Sequence, residues 1–122
     1  MYKIKIITKN LQMDAELNDT RTSKIIYDSL PIESKINTWG EEIYFSIPVK
    51  TKLENGVEVV NEGDLGYWPV GNAFCIFYGK TPVSTDTEIR PASAVTLIGR
   101  LLGNPKEWNK AVQGEKIIIK KI

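Results

Sequence analysis

The chain opens on an alternation of period two. Over residues 2–8, Tyr2, Ile4 and Ile6 fall on one side and Lys3 and Lys5 on the other, the pattern of a half-buried strand. Leu11, Met13, Ala15 and Leu17 repeat it after a turn at Lys9-Asn10. The period then changes. Ile26 and Leu30 stand one helical turn apart with Ile25 beside them, so one face of a helix capped by Asn18 or Asp19 is apolar. Pro31 disfavours helical geometry at the residue before it and ends the helix at about Leu30.

Residues 32–47 return to period two. A two-residue turn at Gly40-Glu41, with glycine supplying positive φ, folds them into a hairpin. That register pairs Trp39 with Glu42, Asn37 with Tyr44 and Lys35 with Ser46 on one face. It pairs Thr38 with Ile43, Ile36 with Phe45 and Ser34 with Ile47 on the other. Both strands then agree on which side is apolar, which fixes the register. Ile36, Ile43, Phe45 and Ile47 face the core, and Asn37, Trp39, Glu42 and Tyr44 face away from it.

Further on, Asn55-Gly56 predicts a type I′ turn ahead of Val57, Val59 and Val60. Leu65–Trp68 reads as a short strand, residues 69–72 as a turn, and the nearly all-apolar Ala73–Tyr78 as the next strand. A polar loop over residues 79–92 is long enough to wrap the domain or to serve function. Ala94–Leu102 and Lys116–Ile122 complete the strands. Between them Asn104-Pro105 opens a short helical turn with Trp108 and Val112 on one face, ended by Gly114. Many short strands, frequent turn signals and one helix point to a small barrel, whose closure removes exposed edges.

A length of 122 residues suits one domain over residues 1–122. A formal charge of +1 supplies no basic surface for nucleic acid. No apolar run is long enough to span a bilayer, and the first residues show no apolar leader segment, so a cytoplasmic location is expected. Cys75 is the only cysteine, which excludes an internal disulfide. There is no histidine, which removes Ser-His and Cys-His nucleophile pairs and the common zinc ligand sets. Asp64, Asp86 and Glu88 carry no ligand spacing, and the glycines of residues 63–82 match no phosphate cradle. No metal and no cofactor are expected.

The segments NTWGEEIYFS (37–46), GDLGYWP (63–69), FYGKTP (77–82) and PASAV (91–95) resemble the prokaryotic cyclophilin-like domain family of small stand-alone proteins. The resemblance spans nearly the whole chain in the same order. Val70 departs from the proline that often follows Trp-Pro in that group. The resemblance implies a mainly β fold: a closed eight-stranded antiparallel barrel with one main capping helix and a short helical turn. It also implies a packed interior and any ligand groove on the outer surface. It implies no known activity.

The face with Asn37, Trp39, Glu42 and Tyr44 mixes aromatics, an amide and a carboxylate. That is the make-up of a groove for a small polar or peptide ligand, and Glu42 is expected to hold a raised pKa if the site is dry. Tyr67 and Trp68 are candidates for its border, although alternation puts them on opposite faces. Two alternatives stay open: a weak peptidyl-prolyl cis-trans isomerase, and an interaction or oligomerisation domain in which another chain covers the aromatic face. True cyclophilins use an arginine within Phe-His-Arg and aromatic motifs. Arg21, Arg90 and Arg100 stand in none.

Overall fold

The computed structural model describes residues 1–122. Its strands are β1 (Tyr2–Ile7), β2 (Gln12–Leu17), β3 (Ile32–Lys35), β4 (Asn37–Trp39), β5 (Glu42–Ser46), β6 (Asp64–Trp68), β7 (Ala73–Phe77), β8 (Thr96–Leu101) and β9 (Lys116–Lys121). One helix, α1 (Arg21–Asp28), and two 3-10 segments, Pro69–Gly71 and Pro105–Lys110, complete the elements. All nine strands form one antiparallel sheet in the order β3-β9-β1-β2-β8-β6-β7-β5-β4.

The nine strands replace the expected eight because one expected strand is divided between two partners. The chain that was to pair with β5 along its whole length bends at Ile36. Its first part, β3, pairs with β9, and its second part, β4, pairs with β5. The hairpin register therefore holds for Asn37–Tyr44, Thr38–Ile43 and Trp39–Glu42. The expected ladder pairs Lys35–Ser46, Ile36–Phe45 and Ser34–Ile47 do not form, because Ile36 exchanges backbone hydrogen bonds with Gly114 and Glu115 instead. Since β3 and β4 are continuous in the chain, this bend also brings the two ends of the sheet together into a nearly closed barrel. The Ser34 hydroxyl donates to the Ser46 carbonyl across the seam at 2.7 Å.

Alternation decides what fills the barrel. Ile4, Ile6, Ala15, Leu17, Ile43, Phe45, Leu65, Phe74, Ile76 and Ile98 are fully buried in one interior core, where Phe45 and Phe74 stack with centroids 5.2 Å apart. Trp108 joins this core with no exposed surface, whereas Val112, expected on the same face, is 57% exposed. The 3-10 segment stops at Lys110, so its geometry does not carry Val112 onto the Trp108 face. Helix α1 starts later than expected. Thr20 is the N-cap, its hydroxyl accepting from Ser23 N, and Asn18 supports it by accepting from Thr20 N at 3.1 Å and from the Ser23 hydroxyl at 2.6 Å. The Glu54 carboxylate accepts from Arg21 N and Thr22 N, meeting further free donors of the first turn. The Thr22 hydroxyl, which donates to the same carboxylate at 2.7 Å, and then these backbone donors hold its carboxyl below the usual range.

A second, smaller apolar layer lies on the other side of the sheet. Val60, Ala73, Cys75, Phe77 and Val95 are buried there, with Tyr44, Val57, Trp68, Ile89 and Leu97 packed on them. Strand β7 is thus buried on both faces, which is why its sequence is apolar at every position. Asn55-Gly56 does not make a type I′ hairpin. Only Asn55 takes positive φ, and the valines that follow bond to the far loop: Val57 to Val95 and Val60 to Ile89.

Candidate functional site

The outer face of β5 begins with a turn that only glycine makes without strain. Gly40 has φ +59°, and a Cβ there would stand 2.8 Å from Pro82 Cδ and 2.9 Å from the Lys80 carbonyl oxygen. The turn therefore seats the start of the 79–95 loop directly on the tip of the hairpin. Glu41 N donates to Lys80 O at 2.8 Å. The loop is then tied internally, with the Ser84 hydroxyl accepting from both Thr81 N and Arg90 N. Val60 N holds it to the preceding connection through Ile89 O at 2.9 Å.

Between this loop and the sheet lies a pocket of about 290 Å³ lined by Trp39, Glu42, Tyr44, Trp68, Pro91, Ala92 and Val95. Four of the six residues expected from the sequence meet here. Trp68 is held on two sides: its indole N–H donates to the Ser93 hydroxyl at 2.7 Å, and Gly71 lies so close that a Cβ would be 2.9 Å from its ring. Tyr44 meets Trp68 edge-on, with centroids 6.3 Å apart and planes at 78°.

The other two residues go elsewhere. Tyr67 is in phase with Leu65 and points into the barrel with no exposed surface. Its hydroxyl donates to Val49 O at 2.8 Å and accepts from Thr51 N at 3.3 Å, so it anchors the 47–51 segment and does not border the groove. The Leu65/Tyr67 phase against Gly66/Trp68 was the signal that separates the two aromatics. Asn37 shares the face but lies outside the pocket lining, and its side-chain oxygen accepts from Gln113 Nε2 at 3.1 Å. Pro91, Ala92 and Val95 are not among the site residues expected from the sequence. Pro91 and Ala92 lie in the long polar loop and all three in the family-resembling segment 91–95, whereas Val95, expected in the next strand, precedes β8, which begins at Thr96.

Glu42 dominates the electrostatics. It is 5% exposed, and no nitrogen or hydroxyl donor hydrogen-bonds to its carboxylate. Burial pushes its carboxyl up to about 7, against a weaker opposing effect of the neighbouring Cys75 thiol. Cys75 is fully buried, and burial first, then the Glu42 charge, pushes its thiol upward, which leaves it unreactive. The folded protein keeps the Glu42 proton that an unfolded chain loses near 4.5. Stability from this group is therefore complete below 4.5 and drains away as pH rises toward about 7. The separation corresponds to about 3 kcal/mol. Glu42→Gln is expected to remove this slope and to leave the variant more stable than the parent at pH 8. Urea midpoints across the acid-to-alkaline range read it, and parallel profiles for the two proteins would refute it.

Asp64, Asp86 and Glu88 do not form a group that could hold a metal. Glu88 is engaged by Arg90 through Nε at 3.2 Å and Nη2 at 2.9 Å. No arginine lines the pocket.

A sequence model for cyclophilin-like domains matches residues 2–120. The chain belongs to the cyclophilin-like family. The cyclophilin-like barrel is also seen in the solution structure of the hypothetical protein AF2241 from Archaeoglobus fulgidus. That protein is 37% identical, with a TM-score of 0.84 over 99% of this chain and 95% of its own. No protein of curated function matches this cyclophilin-like sequence. No helix of the barrel is long and apolar enough to cross a membrane.

Proposed function

We propose that this cyclophilin-like protein is a binding module that takes a small ligand in the pocket between β5, β6 and the 79–95 loop. The observation that carries this reading is the lining itself. Three large aromatics converge there without filling the space, and a buried carboxylate faces it. A side chain as expensive to bury as a glutamate with no nitrogen or hydroxyl donor is out of place in a purely structural layer. The walls are preformed, since the loop is tied down by its own hydrogen bonds, so binding loses little to ordering. The concave shape favours a small ligand over a flat protein partner.

Prolyl isomerisation is less well supported. A catalyst of that reaction needs a donor that favours the twisted amide over both planar forms. Arg90, next in sequence to the wall residue Pro91, spends its guanidinium on Glu88, and neither Arg21 nor Arg100 lines the pocket.

The test is an NMR titration of the labelled protein with a fragment set of amides, proline dipeptides, carboxylic acids and amines. Saturable shifts of the Trp39 and Trp68 indole signals are expected for at least one class. Trp68→Ala should weaken that binding at least about tenfold, roughly the loss of one good aromatic contact. A set in which no compound saturates, or in which Trp68→Ala binds equally well, removes the reading.

A further inference from the structure

The composition of the pocket wall narrows the chemistry of its ligand, granted that the pocket binds one. Trp39, Tyr44 and Trp68 present three aromatic rings, two of them set nearly at right angles as a corner. Aromatic faces carry negative potential and attract cations, more strongly when water is excluded. On the same wall stands the Glu42 carboxylate, 5% exposed and without a nitrogen or hydroxyl donor. Rings and carboxylate favour the same sign of charge.

We propose that the pocket takes a small organic cation, an alkylated or quaternary ammonium group, with Trp39, Tyr44 and Trp68 as its cage and Glu42 as its counter-ion.

The protein's own cations do not fill this place. Arg90 is held by Glu88. The Lys80 ammonium donates to Asp86 O at 3.0 Å, and Lys106 lies between Glu41 and Glu62 at 3.4 and 3.9 Å. A ligand ammonium therefore meets no competing positive group in the lining. Pro91, Ala92 and Val95 complete the wall with apolar surface. They suit methyl groups and offer nothing to a strongly hydrated inorganic ion. A volume of about 290 Å³ accommodates a trimethylammonium head with a short tail. An anionic ligand would stand against the Glu42 charge.

Choline chloride and its uncharged carbon isostere, 3,3-dimethyl-1-butanol, separate charge from shape. Both are titrated into the labelled protein and into Glu42→Gln, above the pH range in which Glu42 titrates. Choline is expected to give saturable shifts of the Trp39 and Trp68 indole signals. The alcohol should bind at least about tenfold more weakly, and Glu42→Gln should lose about the same factor for choline only. This variant removes a buried charge, so it is expected to fold at least as well as the parent. If the alcohol binds as tightly as choline, or the variant binds choline as well as the parent, the cation assignment is overturned while a ligand pocket stands. If choline produces no saturable shift, the assignment also falls. Failure of N-acetylproline methylamide and of the fragment set in the same titration would then take the broader binding reading with it.

Discussion

Replacing Trp108 with alanine is expected to lower the stability of the barrel by about 3–5 kcal/mol. The indole has no exposed surface and belongs to the interior core with Met13, Leu101 and Ile117. Its N–H donates to Met13 Sδ at 3.4 Å, so even its polar edge is matched inside. The 3-10 segment that delivers it is fixed at its start by Asn104, whose side chain accepts from Lys106 N at 3.1 Å. A rigidly held segment cannot collapse into the space that the ring leaves, so the cavity persists and its cost adds to the lost transfer energy. Against a total of about 5–15 kcal/mol for a domain, this loss moves the urea midpoint far from the parent value. Val112→Ala, at the exposed residue beyond the segment, is the control and should change little. A loss below about 1 kcal/mol for Trp108→Ala would show that the ring is not the plug of the barrel.

Gly99→Ala should be still more damaging, about 4 kcal/mol or more. Gly99 pairs with Leu17 of β2 on one side and with Leu65 of β6 on the other, beside a register shift in which Ile98 is the extra residue. A Cβ at this position would overlap the Glu16 carbonyl oxygen and stand 2.9 Å from Leu17 Cα. Both obstacles are backbone in a neighbouring strand, so relief requires β2 and β8 to part. Parting them breaks the ladder that closes one side of the barrel. Gly114 supplies the contrast. It has φ +86° but nothing within 4 Å of an added Cβ, so Gly114→Ala meets only backbone strain of about 1–2 kcal/mol. Chemical denaturation of the two variants side by side reads the difference. A Gly99→Ala protein as stable as Gly114→Ala would disprove the close approach of the strands.

The outer pocket depends on the same bulge-and-bend economy of the sheet. Register along β4 and β5 puts Trp39, Glu42 and Tyr44 on one side, and that much follows from alternation alone, since a slip of one residue would send Phe45 into solvent. The bend at Ile36 is different. Nothing local marks it: the residues around it alternate without interruption. It arises because the last strand needs a partner, and Ile32–Lys35 is the segment within its reach once the barrel curls.

The Asn55-Gly56 signal shows the same limit from the other side. Its dipeptide favours a tight hairpin, yet the valines beyond it find backbone partners at Val95 and Ile89, and those tertiary bonds outweigh a local turn preference. For the same reason the sequence does not place Pro91, Ala92 and Val95 in a pocket wall. These residues reach the β5 face through a loop whose path is set by hydrogen bonds to chain far away in sequence.

What the residues determine by themselves is the parity of each strand, the tight turn at Gly40-Glu41 and the presence of an aromatic and acidic face. All of these are properties of neighbours one or two positions apart. Which strands pair across the seam, that the 79–95 loop walls the face bearing Trp68, and that Glu42 is buried are decided only when distant segments pack. Burial is a property of the whole assembly: a glutamate on an outward strand face is an ordinary solvated carboxylate until another part of the chain covers it.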